Sequence, residues 1–78
     1  MRIQVHYFAV LREKRGMSME ILEVEEGTTM AGLFAQIFGE TELANLPVLF
    51  AMNQSYVEAD CPITDRAEVS FLPPLGGG

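Results

Sequence analysis

Thr28-Thr29-Met30-Ala31-Gly32-Leu33-Phe34-Ala35-Gln36-Ile37-Phe38-Gly39 carries the helical period that decides the fold. Met30, Leu33, Phe34, Ile37 and Phe38 fall at i, i+3, i+4, i+7 and i+8, one apolar stripe down one side of a helix. Thr28 or Thr29 supplies the N-cap oxygen. Gly39 stands where a left-handed C-terminal cap is expected. Gly32 costs such a helix about 1 kcal/mol against alanine, and it denies Thr29 the glutamate of a capping box. Side chains this large on one stripe are a buried face, not a cofactor box.

On either side of this helix the period drops to two. Upstream, Arg2 to Val10 alternates, with Ile3, Val5, Tyr7 and Ala9 on one face and Arg2, Gln4, His6 and Phe8 on the other. Leu11 to Met17, with three basic residues and Gly16, reads as a connecting loop or hairpin turn, and Met19 to Val24 as a second strand. Downstream, Glu40 to Leu46 reads as an irregular connection, and Pro47 blocks helix continuation. Val48 to Met52 reads as a buried strand, Asn53-Gln54-Ser55 as a turn, and Tyr56-Val57 as a short strand. Asp60 to Arg66 reads as loop, with Pro62 and Asp65 as turn residues. Glu68 to Leu72 is the last strand, stopped by Pro73 and Pro74. One helix over a mixed sheet is a two-layer α+β domain, here residues 1–72, followed by a tail over 73–78. On the sheet face away from the helix the pattern leaves Phe8 and Leu72 exposed, joined by Tyr56. Such a patch near the root of the tail marks a protein interface.

The 78 residues suffice for one small core. Hydrophobic residues at 49% and charged ones at 21% fit a folded globule. The net charge of −6, from 11 acidic and 5 basic residues, argues against nucleic acid and suits a basic partner surface. A single cysteine, Cys61, excludes an intrachain disulfide and points to a reducing compartment. Met1 enters a strand with no apolar h-region, so no signal peptide is expected. Runs such as Val48 to Met52 are far too short to span a bilayer. A cytoplasmic protein with no membrane association is the expectation.

The chain ends Pro73-Pro74-Leu75-Gly76-Gly77-Gly78. At an ordinary glycine frequency of about 7%, three in succession at a given place occur by chance roughly 0.03% of the time. A glycine tail can thread a narrow tunnel and present its terminal carboxylate to another protein's active site. A frayed end is the bland alternative.

Taken together, Met52 to Val57, Pro62-Ile63-Thr64-Asp65, Glu68 to Pro74 and the final Gly77-Gly78 resemble the small subunits of molybdopterin synthase, as does the opening Ile3 to Glu13. The strand–Pro-Pro–x–Gly-Gly ending is the most specific element. The resemblance implies a ubiquitin-like β-grasp fold and a sulfur-carrier role. It implies that an adenylyltransferase of the ubiquitin-activating type uses ATP to adenylate Gly78, with Gly77 as the steric requirement beside it. Sulfur then replaces one oxygen to give a thiocarboxylate. It further implies that Pro73, Pro74, Leu75 and Gly76 enter the synthase large subunit, where sulfur passes to cyclic pyranopterin monophosphate, and that the synthase is a heterotetramer. Phe8, Tyr56 and Leu72 would be the apolar partner contact. No cofactor is expected to be permanently bound, no metal site is expected, and the subunit alone is not an enzyme. Two departures stand out: Asp65-Arg66-Ala67-Glu68 replaces the usual aspartate-glycine-aspartate-glutamate turn, and Gly76 stands where a small or polar side chain is common.

The remaining chemistry-bearing residues read as structural. Cys61 beside Asp60 gains no thiolate stabilisation. His6 lacks a second ligand at metal spacing and reads as a surface or partner-facing histidine. Arg12, Lys14 and Arg15 read as a solvated loop, and Glu23, Glu25 and Glu26 as a solvated edge. Rival functions are a carrier of the same fold for thiamin, cysteine or tRNA thiolation, a ubiquitin-like modifier joined to lysines through Gly78, and a plain interaction domain.

Overall fold

The computed structural model describes residues 1–74. Strands β1 (Arg2–Tyr7), β2 (Met19–Glu23), β3 (Leu49–Met52), β4 (Ser55–Val57) and β5 (Glu68–Leu72) form one sheet in the order β2-β1-β5-β3-β4. β1 and β5 run parallel at its centre, and the other neighbours are antiparallel. Helix α2 (Met30–Phe38) covers one face, giving the mixed, two-layer α+β arrangement of a β-grasp domain.

Alternation places the core as expected. Ile3, Val5 and Tyr7 of β1 and Val69 and Phe71 of β5 are buried against Met30, Leu33, Phe34 and Phe38 of α2. Phe34 lies at the centre of the aromatic packing, with ring centroids 5.1 Å from Phe38 and 5.2 Å from Phe71. The Phe34–Phe71 pair is edge-to-face and the Phe34–Phe38 pair tilted; aromatic pairs of these kinds add about 0.5–1.5 kcal/mol beyond area burial. The first turn of α2 has its orphan donors accounted for. Met30 N–H and Ala31 N–H donate to the carbonyls of Cys61 and Ala59, and Gly32 N–H donates to Thr29 Oγ1 at 3.0 Å. Thr29, not Thr28, is therefore the cap, worth about 1 kcal/mol. A side chain added at Gly32 would press on that same oxygen at 3.0 Å, which gives this helix-weakening glycine a reason.

Two local readings are corrected. Ala9–Arg15 is a second helix, α1, not a loop, so Ala9 and Val10 do not continue β1. Its N-cap, Phe8, offers no side-chain bond, and Ala9 turns the chain at φ +50. Helix formation is supported from the other end. Arg12, Lys14 and Arg15 face the negative end of the helix dipole, and left-handed Gly16 donates its N–H to the Arg12 carbonyl at 2.8 Å. Gly39 is right-handed at φ −61, not left-handed; a side chain there would meet the Ala35 carbonyl. Arg66 lies at φ +64, where glycine is at ease, so replacing the turn glycine costs backbone strain of about 1 kcal/mol.

Helix α1 is fastened through a polar triad at the sheet edge. Tyr7 Oη donates to Glu20 Oε2 at 2.6 Å, and Arg15 donates from Nε to Oε2 at 2.6 Å and from Nη2 to Oε1 at 3.1 Å. The Arg15 hydrogen bonds hold the Glu20 carboxyl below its usual range; burial opposes this, and the Tyr7 bond assists it. Burial, with the Glu20 carboxylate second, pushes the Tyr7 phenol well up. A carboxyl depressed on folding contributes stability above its unfolded pKa of about 4.3 and loses it as pH falls through the folded value. Urea midpoints should therefore show Glu20→Gln least stable relative to wild type above about pH 5, with the gap closing below about pH 4. A gap independent of pH would show that the ionised carboxylate contributes nothing.

Candidate functional site

The strand ends of the sheet build an apolar groove. β5 delivers Leu72, Pro73 and Pro74 to its floor, and the chain leaving β1 supplies Phe8 and Ala9. Pro47, Val48 and Leu49 enter from the start of β3, and Tyr56 from β4. The groove has a volume of about 730 Å³, and none of these side chains is charged. Register explains the assembly. Leu49 lies opposite Leu72, and Tyr56 opposite Ala51, so all project from the face that α2 does not cover. Tyr56 is 73% exposed, Leu49 60% and Phe8 43%.

Turn chemistry fixes Tyr56. Asn53 and Gln54, at φ +53 and +70, form the two-residue hairpin loop whose twist matches the strands. Asn53 N–H donates to the Glu68 carbonyl at 2.8 Å, and Asn53 Oδ1 accepts from Glu68 N–H at 3.0 Å. The hairpin tip is thus pinned to the strand that carries the tail.

Phe8, Tyr56, Leu72, Pro73 and Pro74 are brought together as the sequence expects, although Phe8 arrives as the cap of α1 and not as a strand residue. Leu75, Gly76, Gly77 and Gly78 lie outside the described residues. Leu49, Val48, Pro47 and Ala9 are groove residues that the sequence reading missed. A signal for Leu49 was present: alternation within β3 puts Phe50 and Met52 on the core face and Leu49 with Ala51 on the other.

The other singled-out residues take structural positions. His6 lies on the open sheet face with Nε2 2.9 Å from Gln4 Oε1 and 3.7 Å from Glu68 Oε2. Cys61 is half-buried, and its carbonyl serves the first turn of α2. Lys14 pairs with Glu42 at 2.8 Å, Arg15 with Glu20 and Arg2 with Glu23, so the basic cluster and the acidic edge each find partners elsewhere in the chain and not in one another. Among the described residues no cluster of His, Cys, Asp or Glu could hold a metal ion, and no helix is long and apolar enough to cross a membrane.

Comparison with known proteins bears on this site. A family model described as the ThiS family matches residues 5–78. The molybdopterin synthase sulfur carrier subunit of Chlamydomonas reinhardtii is 35% identical over the whole of both chains. The protein of the same name from Escherichia coli (strain K12) is 33% identical, covering 97% of this chain and 99% of that one. Among solved structures, a putative molybdopterin converting factor subunit 1 from Pyrococcus furiosus superposes with a TM-score of 0.81 at 27% identity, over 96% of this chain and 99% of the other.

One strained residue in the groove wall offers a test of the geometry. Ala9 at φ +50 bears the cost of a left-handed alanine, about 1–2 kcal/mol, which glycine escapes. Glycine's greater unfolded-state freedom returns about 0.4–1 kcal/mol of that. Ala9→Gly should therefore raise stability by up to about 1 kcal/mol in denaturant titration, and a loss of that size would show that the turn is not left-handed.

Proposed function

The chain belongs to the ThiS family, and from that premise we propose that it is the sulfur-carrier small subunit of a molybdopterin synthase. The carrying observation is the site's geometry: β5 runs through the sheet centre and releases the chain at Pro73-Pro74 inside an uncharged groove. Residues 75–78 follow directly. The groove docks the synthase large subunit, and the tail enters that partner's active site. Four residues span at most about 14 Å at 3.3–3.6 Å each, so docking close to the tail root is a requirement of reach. Two such pairs make a heterotetramer, working in the cytoplasm.

The chemistry explains why the chain needs no catalytic side chains. The Gly78 carboxylate is ionised at pH 7 and a poor electrophile. In a partner of the ubiquitin-activating type it attacks the α-phosphorus of ATP and releases pyrophosphate, giving an acyl-adenylate with a good leaving group. A sulfur nucleophile then displaces AMP and leaves a thiocarboxylate, whose sulfur goes to cyclic pyranopterin monophosphate. Gly77, without a side chain, keeps the approach to Gly78 open. Activation and transfer are both performed by partners; this chain supplies the acyl terminus, its aim and its docking surface.

Incubation with a cognate adenylyltransferase, ATP and a sulfur source should produce the mass change of one oxygen-to-sulfur exchange at Gly78. Deleting Gly77-Gly78 should abolish it. The pair Leu49→Ser and Tyr56→Ala, both on exposed side chains, should leave melting nearly unchanged and weaken capture of a synthase large subunit by at least about tenfold. No exchange, or full activity after the deletion, overturns the proposal; accumulation of stable lysine adducts instead identifies a protein modifier.

A further inference from the structure

A second surface is the free edge of β2, which contributes no residue to the groove. β2 is an edge strand, and its backbone bonding can be followed outward. Val24 N–H donates to the Met1 carbonyl and Tyr7 N–H to the Ser18 carbonyl, which fixes the alternation along the β1–β2 ladder. Ser18, Glu20, Leu22 and Val24 turn their backbone groups toward β1. Met19, Ile21 and Glu23 turn theirs outward. The same three residues carry their side chains on the face that α2 does not cover, with Ile21 50% and Met19 41% exposed.

An open edge of this kind invites another strand unless a protein blunts it with unpaired charge, proline or a bulge. β2 has no proline, and its ladder with β1 runs in unbroken register from Met19 to Glu23. Its two carboxylates are neutralised within the chain, Glu20 by Arg15 at 2.6 Å and Glu23 by Arg2 at 3.3 Å. The molecule carries a net charge of −6, yet both carboxylates of β2 itself are paired. The strand is also self-complementary. Rotated about an axis through Ile21 and perpendicular to the sheet, it sets Ile21 against Ile21, and Met19 against a Glu23 already held by Arg2. That pairing forms about six backbone hydrogen bonds and buries the exposed isoleucine against itself.

We propose that the β2 edge is a homotypic interface, through which two copies of this chain join antiparallel about Ile21 into one continuous sheet. A five-residue edge makes a small contact, so the dimer is of the weak, reversible class. The groove, built at the ends of β1, β5, β3 and β4, shares no residue with β2 and remains open in such a dimer. The inference stands apart from the sulfur-carrier reading, because it uses no residue of the groove or tail.

Sedimentation of the full chain between about 10 μM and 1 mM should show the mass rising toward the dimer. Ile21→Lys, which sets like charges against each other at the axis, should weaken self-association by at least about tenfold. A second variant tests register directly. With Cys61→Ser removing the native thiol, Ile21→Cys should oxidise to a disulfide-linked dimer. Bonded antiparallel pairs hold their Cα atoms about 5.5 Å apart, within the roughly 4.4–6.8 Å that a disulfide spans. Glu58→Cys in the same background, beyond the far edge strand, is the control for random collision. A wild type monomeric at about 1 mM, a dimer that survives Ile21→Lys, or Ile21→Cys crosslinking no faster than Glu58→Cys would each overturn the proposal.

Discussion

The parallel pairing of β1 with β5 is the constraint on which the rest of the structure depends. It joins the two ends of the sequence, matching Gln4 with Glu68 and Tyr7 with Phe71. A parallel pair cannot be closed by a tight turn, so the intervening chain must cross over, and α2 is the element that covers the crossing. Parallel direction has a second effect. Both strands finish at the same end of the sheet, which puts Phe8 beside Leu72 and makes the groove form where the terminus leaves. In an antiparallel arrangement the first strand would end at the far side, and the tail would emerge without its docking wall.

Packing turns this topology into a stable domain. A core this small supplies only about 3–5 kcal/mol of net stability, so specific contacts decide whether it holds. Tyr7 shows how closely core and edge are joined. Its ring packs edge-on against Phe38 at 5.8 Å, while its hydroxyl reaches Glu20 and, through it, Arg15 of α1. One residue thus connects the main helix, the edge strand and the short helix whose first residues form a groove wall.

Much of this was legible in the sequence because two periods dominate it. The strands at Ile3-Val5-Tyr7 and Val69-Phe71 and the stripe Met30 to Phe38 were read correctly, and the α+β class follows from them. Helix α1 was missed for a definite reason. Ala9 and Val10 continue the period-two pattern of β1, and Phe8 offers no capping side chain. Only the basic last turn followed by Gly16 carried the helical signal. Gly39 was misread because a close approach to the Ala35 carbonyl and a left-handed cap both select glycine. The groove was half legible: outward-facing Phe8, Tyr56 and Leu72 followed from alternation, while Leu49, whose alternation with Phe50 and Met52 signals the same face, was passed over because the whole strand was read as buried.

The tail must leave the sheet cleanly if it is to enter another protein, and both neighbours of β5 enforce this. On the β3 side the last matched pair is Leu49 with Leu72. Continued one and two residues further, the same register would set Val48 against Pro73 and Pro47 against Pro74. Three of those four residues are prolines, which cannot donate to a ladder. On the β1 side the pairing stops at Tyr7 with Phe71, because Ala9 turns left-handed and the chain enters α1. Strand pairing is therefore blocked on both flanks at the same level. The strained alanine and the proline cluster, which look like separate oddities, act together: they end the sheet, and the apolar residues stranded at that end become the walls of the groove.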